Sequence, residues 1–279
     1  MRNINLSLLL SGFLIFIFSP VAAQQREYHD NNMFWSEVNI IGNIKGKFGY
    51  QLDYQHRRQA IPENLPDHHH NPVKHPMLQT IRPWLHYQYN PAVRFSFAPL
   101  AWLGHWRLPE DGESVFFPEF RITPQITLRQ PIGRVIIQHR FRYEFRFIGR
   151  DHVDGETDLE EAYTFDKSRR RGRMRYMLKA EVPINTPEMA DGTFYVAAFN
   201  EAMLNTGKNV PSNHLFDQNR TYAGVGYRFS KFVRVEAGYL KHLAFRLNNA
   251  TANNVDNNNL IHAFLYFENF SELFSRKEK

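Results

Sequence analysis

Residues 119–148 read EFRITPQITLRQPIGRVIIQHRFRYEFRFI, and polar and apolar side chains alternate along both halves of this stretch. In the second half, aromatic residues such as Phe141 alternate with charged residues such as Arg142. A period of two places the two sets on opposite faces of a β-strand. The turn sequence QPIG at residues 130–133 separates the halves. The stretch therefore predicts a hairpin of two strands longer than those of most globular domains.

The same period of two recurs along the chain, and no segment offers a sustained helical period. Clear strands are predicted at 47–55, 173–182, 220–229 and 233–239, and weaker ones at 34–44, 80–89, 93–106, 193–204 and 260–267. Bacterial outer-membrane barrels usually have an even number of antiparallel strands, so we predict an all-β antiparallel transmembrane barrel of about 12 strands, with 10 or 11 as alternatives. The remaining strand would come from residues 24–32 or from a miscounted element, unless the barrel closes on a parallel pair.

The connections between the predicted strands alternate in length. Short turns fall at 43–46, 90–91, 131–133 and 230–231, a medium one at 183–192, and long polar segments at 57–77, 109–114, 149–170, 205–217 and 248–258. Outer-membrane barrels have short turns at one end and longer loops at the other. A soluble secreted β-sandwich or a lipocalin-like barrel has no reason to sort its loops in this way, but both remain alternatives.

The composition excludes several classes of protein. The 279 residues carry a net charge of +6, are 43% hydrophobic and include no cysteine. The apolar content argues against global disorder. Without cysteine the chain has no disulfide framework, thiolate zinc site, cysteine nucleophile or acylated lipoprotein cysteine. The basic residues alternate along strands rather than forming one run, so no nucleic-acid partner is expected.

The first 23 residues have the features of a secretory signal peptide. Arg2 provides a basic start, residues 8–18 are apolar apart from Ser11 and Gly12, and small residues end at Ala23. We therefore predict cleavage after Ala23, with an uncleaved anchor as the alternative. The predicted organisation is a signal peptide (1–23), a short N-terminal segment (24–32), an outer-membrane barrel domain (33–270) and a charged tail (271–279).

Several short motifs occur in a specific order and spacing. They are Glu119-Phe-Arg121, residues 138–146, residues 173–178, Asn200-Glu201, Asn205-Thr-Gly207, residues 216–220, residues 224–227 and residues 238–240. Over essentially the whole mature chain these motifs resemble a family of bacterial outer-membrane proteins known only as a domain of unknown function. The resemblance implies a β-barrel in the outer membrane of a diderm bacterium, in contact with its lipid, and implies no activity.

Two features depart from that family pattern. One is the His-rich insertion at residues 67–75, and the other is Pro124 inside a predicted strand. Because proline cannot donate to a sheet, Pro124 suggests a β-bulge. His68, His69, His70 and His75 are weak candidate ligands for Zn²⁺ or Cu²⁺. A mobile external loop is the favoured interpretation of this segment, so no metal and no cofactor are expected.

Charged residues in the strands are the candidate functional residues. An arginine on the lipid face costs about 2–4 kcal/mol at the membrane midplane, so these side chains must face the barrel interior. The candidate lumen or solute-binding residues are Glu119, Arg121, Gln125, Arg140, Arg142, Glu144, Arg146, Arg173, Arg175, Glu201, Gln218, Arg220, Arg234 and Glu236. They form either a hydrated ion-pair ladder that fixes strand register or an electropositive constriction that binds or passes anions.

The predicted function is therefore an outer-membrane barrel that acts as a narrow pore or solute-binding channel, with small anionic solutes as candidate cargo. An outer-membrane enzyme acting on lipid or lipopolysaccharide is the alternative. Such an enzyme needs a serine, a histidine and a carboxylate or amide together. His139 falls on the lipid-facing parity and Ser96 on the polar face, so no catalytic residue is assigned. The sequence specifies neither the solute nor an oligomeric partner.

Overall fold

The computed structural model of the protein describes residues 26–61, 65, 68–108, 114–152, 158–165, 169–207, 210, 215–245 and 254–273. The expected signal peptide and the part of the charged tail beyond residue 273 lie outside these described residues. Within them, no helix is long and apolar enough to cross a membrane.

The described chain is built from β-strands that close into one barrel. Its elements are β1 (Glu27–Lys45), β2 (Phe48–Gln59), β3 (His75–Asn90), β4 (Val93–Arg107), β5 (Val115–Ile132), β6 (Val135–Ile148), α1 (Leu159–Ala162), β7 (Arg170–Pro183), β8 (Thr193–Thr206), β9 (Phe216–Arg228), β10 (Val233–Phe245), β11 (Asn254–Phe267) and a 3-10 turn (Phe270–Leu273). Each strand pairs antiparallel with the next along the chain, and β1 pairs parallel with β11. The α1 element is a single helical turn.

The favoured count of 12 strands is wrong and the alternative of eleven is confirmed, because the described residues form a closed barrel of eleven. Residues 27–32 extend β1 and do not form a separate strand. The odd number is accommodated by the parallel pair, in which Glu27 lies opposite Asn254 and Ile40 lies opposite Phe267. The β-sandwich alternative is also wrong, since one sheet closes on itself. With an odd count, β1 begins at one end of the barrel and β11 ends at the other.

The connections sort by length onto the two ends of the barrel. The end that we call the turn end holds the short turns after β1, β3, β5 and β9, together with the nine-residue connection 184–192. Gly46 and Gly133 lie in two of these turns with φ of 58° and 57°, a conformation that glycine adopts without strain. The opposite end, the loop end, holds the connections after β2, β4, β6, β8 and β10.

Alternation along each strand separates an inner face from an outer face. On β6, Arg142 and Glu144 are 7% and 0% exposed, whereas Phe141 and Phe145 are 47% and 48% exposed. The charged set therefore points into the barrel and the aromatic set points outward. This arrangement is the reverse of a soluble globular domain, in which charged side chains are rarely buried.

The bulge expected at Pro124 lies in the neighbouring strand. Pro124 pairs regularly opposite Phe97, while the pairing of β4 with β5 shifts between Ala98 and Ala101. The pairing of β4 with β3 is also irregular in this region. The extra residue therefore belongs to β4, where Pro99 cannot donate to the ladder either. The sequence rule identified the right region but the wrong proline.

Part of the interior is filled by apolar and aromatic side chains from β1 and β8–β11. This aromatic cluster comprises Met33, Trp35, Tyr195, Ala197, Tyr222, Leu240 and Leu260. Tyr195 lies over Gly226, its cross-strand partner, and its ring occupies the space that a Cβ of residue 226 would need. Glycine at this position lets the ring lie flat against the barrel wall.

Candidate functional site

A cavity of about 740 Å³ occupies the barrel interior, and all eleven strands contribute residues to its wall. It extends to the turn end, where Pro91 and Ala92 line it, and towards the loop end as far as Met77 and His105. A volume of this size suits a small-molecule ligand. The charged residues on its wall therefore define the candidate functional site.

The structure places all the sequence-predicted candidates on the inner face of the barrel. The ones that line the cavity are Arg121, Gln125, Arg140, Arg142, Arg146, Arg173, Arg175, Glu201, Gln218, Arg220 and Arg234. Glu119, Glu144 and Glu236 lie behind them, with exposures of 0%, 0% and 2%. Among the predicted candidates, all the arginines therefore line the cavity, whereas three of the four glutamates lie behind them.

Most of these candidates are brought together in one set of ion pairs, here called the ion-pair network. Its members are Glu119, Arg121, Arg140, Glu144, Arg146, Arg173, Arg175, Glu201, Asp217 and Arg220. At its centre Glu144 contacts Arg173 and Arg175, both at 2.6 Å. Such charge-assisted contacts fix the geometry of the side chains on several strands at once.

The outer members of the ion-pair network are held in the same way. Glu119 accepts hydrogen bonds from Nε of Arg121 and Nε of Arg146, both at 2.6 Å. Glu201 lies 2.7 Å from Arg140 and 2.7 Å from Arg175. Glu119, Glu144 and Glu201 thus each have at least two arginine partners, and these ion pairs join side chains of strands β5 to β8.

A second group of charges lies nearer the turn end. Arg234 contacts Glu181 at 3.0 Å, and Lys179 contacts Glu181 at 3.0 Å and Glu236 at 3.5 Å. The hydroxyl of Tyr195 donates to Glu236 at 3.0 Å, which connects this group to the aromatic cluster. Of the predicted residues, only Arg234 and Glu236 belong here, because the sequence candidates omitted Lys179 and Glu181.

Not every arginine on the cavity wall has a carboxylate partner. Among the described residues, Arg57, Arg82, Arg94, Arg129 and Arg142 line the cavity without a carboxylate oxygen within 4.0 Å. Only Arg142 was a sequence candidate. Two of the carboxylates that line the cavity, Glu37 and Asp53, likewise have no Lys or Arg nitrogen within 4.0 Å among the described residues. The wall therefore retains an excess of positive charge after all ion pairs are counted.

Two buried tryptophans each have two of the cavity arginines beside their indole rings. The Trp84 station consists of Trp84, Arg82 and Arg142, and the guanidinium carbons lie 5.7 and 4.8 Å from the centre of the indole ring. The Trp35 station consists of Trp35, Arg57 and Arg220, with distances of 3.8 and 5.0 Å. Stacking on an indole positions a guanidinium without neutralising its charge.

Sequence reasoning missed Trp35, Trp84, Arg57 and Arg82. A signal was available, because Arg82 and Trp84 share the parity of Thr80, His86 and Gln88 in a predicted strand. Because Trp84 is apolar, its position among these polar residues interrupted the alternation and hid the inner face of the strand. The contact between Trp84 and Arg142 joins β3 to β6, which are not neighbours in the sheet.

The residues considered for catalysis do not come together. Nδ1 of His139 lies 2.9 Å from the hydroxyl of Tyr176, its neighbour on the outer face. Ser96 lies on the inner face, where its hydroxyl is 2.8 Å from Nδ1 of His86. Although His86 lines the cavity, Ser96 is not one of the residues that line it. A substrate carbonyl in the cavity would therefore meet His86 but not the hydroxyl of Ser96.

The described residues of the His-rich insertion make local contacts: His69 forms a backbone bridge with Ile61, and Nδ1 of His68 lies 2.9 Å from the carbonyl oxygen of Ile61. Nε2 of His68 lies 3.3 Å from Nε2 of His70, while Nδ1 of His75 lies 2.6 Å from the carbonyl oxygen of Pro76. Within the described part of the chain, no three His, Cys, Asp or Glu side chains are grouped in a way that could hold a metal ion.

The fold and the cavity place this protein in the class of closed β-barrels with a polar interior. The chain matches the family described as "Protein of unknown function (DUF2490)" over residues 32–254, which is most of its length, and it belongs to that family. The resemblance seen in the sequence is thereby confirmed at the level of the family. Comparisons with curated proteins and with solved structures gave no match.

Proposed function

We propose that this protein is an integral outer-membrane β-barrel whose interior serves as a narrow pore or solute-binding channel for small anions. The observation that carries the proposal is the inside-out distribution of its side chains. Glu119 and Glu144 are 0% exposed, while strand residues such as Phe95, Phe141 and Val225 are 44%, 47% and 65% exposed. In water this distribution would leave a large apolar surface uncovered. In a bilayer it is the expected one.

Aromatic side chains at the turn end support the membrane location. Phe48, Tyr89, Phe194 and Phe229 are each more than half exposed there, and Phe194 packs against Tyr227 with ring centres 4.5 Å apart. Aromatic girdles of this kind lie at the level of the lipid headgroups in outer-membrane barrels.

A row of polar side chains crosses the outer face on the side towards the loop end. Asn200, Thr221, Lys241 and Asn259 are successive cross-strand partners on β8 to β11. Asn200 donates to Thr221 at 2.8 Å, and Lys241 donates to Asn259 at 2.8 Å. From Asn259 to Phe267, β11 has nine residues, and a tilted strand needs about 9–11 residues to cross a bilayer. The polar row fits the second interface of the proposed membrane.

The excess of positive charge on the cavity wall supports the proposed preference for anions. A low-dielectric wall concentrates the field of its charges, which raises the local concentration of counter-ions. The alternative of a lipid-active enzyme has less support, because Ser96 faces the interior and His139 faces outward.

Single cysteines test the proposed location directly, because the chain has none of its own. The protein is expected in the outer-membrane fraction with heat-modifiable migration on detergent gels. Cysteines at Phe141 and Phe145 should react with lipid-restricted reagents, and cysteines at Arg140 and Arg142 should react only with small aqueous ones. Recovery in the soluble periplasmic fraction, or aqueous labelling at all four positions, would rule out a membrane barrel.

A further inference from the structure

We propose that the cavity binds solutes through their oxyanionic groups, such as phosphate, sulfate or carboxylate, at the Trp84 station first and at the Trp35 station second. The inference rests on the proposed function and names the ligand chemistry of the same cavity. The inference is drawn from the two arginines beside each indole, three of which have no carboxylate oxygen within 4.0 Å among the described residues. The carboxylate at the Trp84 station, Asp53, accepts a hydrogen bond from the indole N–H of Trp84 at 2.7 Å.

Arg82 is a buried cation of the cavity wall without an ion-pair partner within 4.0 Å among the described residues. Its side chain lines the cavity, the residue is 4% exposed, and its Nε has no hydrogen-bond partner. Arg142 directs Nε and Nη2 to one acceptor, Oε1 of Gln125, at 2.9 and 2.7 Å. Burying a charge is costly unless that charge is paired. An oxyanion between the two guanidiniums would supply the missing partner.

The Trp35 station is better satisfied and should bind more weakly. Nη2 of Arg57 donates to Gln55 at 2.8 Å. Arg220 donates to Gln218 at 2.9 Å and lies 3.7 Å from Glu201. The rings of His242 and His262 pack edgewise on Trp35, with ring centres 5.1 and 5.6 Å away.

The two stations lie at different heights in the barrel. Trp35 is opposite Arg57 on β2, and Trp84 is opposite Gln51 on the same strand. These β2 residues are six positions apart, roughly 20 Å along the strand at about 3.3 Å per residue. The Trp84 station is the nearer one to the turn end, so a solute entering there meets it first.

Geometry favours oxyanions over halides. A guanidinium presents parallel N–H donors that match two oxygens of a phosphate or carboxylate. Beside Trp84, Nε of Arg82 has no hydrogen-bond partner, whereas Nε and Nη2 of Arg142 already share one acceptor on Gln125. A halide offers only one point of contact and gains nothing from the planar arrangement.

The test titrates the purified full chain in neutral detergent with inorganic phosphate, sulfate and chloride at constant ionic strength. Tryptophan fluorescence and the temperature of heat-modifiable unfolding are the two measurements. We expect saturable responses to phosphate and sulfate, and at most a weak response to chloride. Arg82→Gln should weaken phosphate binding about tenfold or more, as expected for loss of one charge-assisted hydrogen bond. Trp84→Phe should remove most of the fluorescence change.

Arg107→Gln provides the matched control. This substitution removes the same charge as Arg82→Gln. The Arg107 side chain, however, is 56% exposed, pairs with Asp151 and does not line the cavity. The control should bind phosphate like the wild type. An equal response to chloride, or unchanged phosphate binding in folded Arg82→Gln, would overturn the proposed stations. Because this assay works in detergent, a protein that binds phosphate but fractionates as soluble would overturn only the membrane location.

Discussion

Arginines on the two sides of the barrel interior have opposite surroundings. On β7, Arg173 contacts Glu144 and Asp217 within 3.0 Å, and Arg175 contacts Glu144 and Glu201 within 2.7 Å. On β3, Arg82 has an indole ring beside it and no carboxylate within 4.0 Å among the described residues. The same residue type therefore holds strands together on one side and remains available to a ligand on the other. The partners of an arginine, rather than its presence on an inner face, distinguish these roles.

The largest effect is expected where a carboxylate holds several arginines. Glu144→Gln removes the anion shared by Arg173 and Arg175, and should lower the free energy of unfolding by about 3–5 kcal/mol. Chemical unfolding in detergent, followed by tryptophan fluorescence, measures the change. Glu161→Gln is the control, because Glu161 pairs with Arg150 at 2.8 Å but is half exposed, and exposed pairs contribute about 0–1 kcal/mol. Equal stabilities for the two variants would contradict a structural role for the ion-pair network.

A direct comparison of two arginines should give a smaller and more specific effect. Arg175→Gln leaves Glu144 and Glu201 with fewer donors and should cost about 1–3 kcal/mol of unfolding free energy. Arg82→Gln removes a buried charge without stranding a carboxylate, so in anion-free buffer its stability should equal or exceed that of the wild type. If Arg82→Gln proved as destabilising as Arg175→Gln, the distinction between the two sides would be lost.

The smallest effect concerns ion selectivity. Wild-type protein in a planar bilayer should show a reversal potential that favours anions in a salt gradient, because the cavity wall is positively charged. The double variant Arg82→Gln, Arg142→Gln should reduce that preference without a loss of stability. Arg107→Gln should leave the reversal potential unchanged. Cation preference in the wild type, or a stable barrel that never conducts, would argue against a pore and leave a solute-binding barrel to be tested by titration.

Sequence reasoning succeeded where the alternation was strong and failed where closure or distance across the barrel mattered. The alternation of Phe141 and Arg142 predicted an inward charged face on β6, and the structure shows that face. No local pattern indicated which strand would pair with β1, so the sequence favoured 12 strands and held eleven strands and a parallel closure only as alternatives. Pairing of terminal strands depends on the circumference of the ring rather than on any local pattern.

The candidate site was predictable only in part for the same reason. The arginines of the ion-pair network lie on strands with clear alternation, and they were all named from the sequence. The Trp84 station was missed because Arg142 reaches Trp84 from a strand three positions away around the barrel. Contacts across a cavity follow from its diameter and from strand tilt, and neither quantity is encoded in a single strand.

The parallel pair of β1 and β11 also has a consequence for the order of folding. Asn257 on β11 donates to Asp30 on β1, although 227 residues of chain separate them. Antiparallel neighbours can form one hairpin at a time, whereas this pair needs both ends of the barrel domain and carries the largest loop-closure entropy. Parallel pairs are also slightly less stable per residue than antiparallel ones. We therefore expect the ring to close last at this junction during folding and to open first there during unfolding.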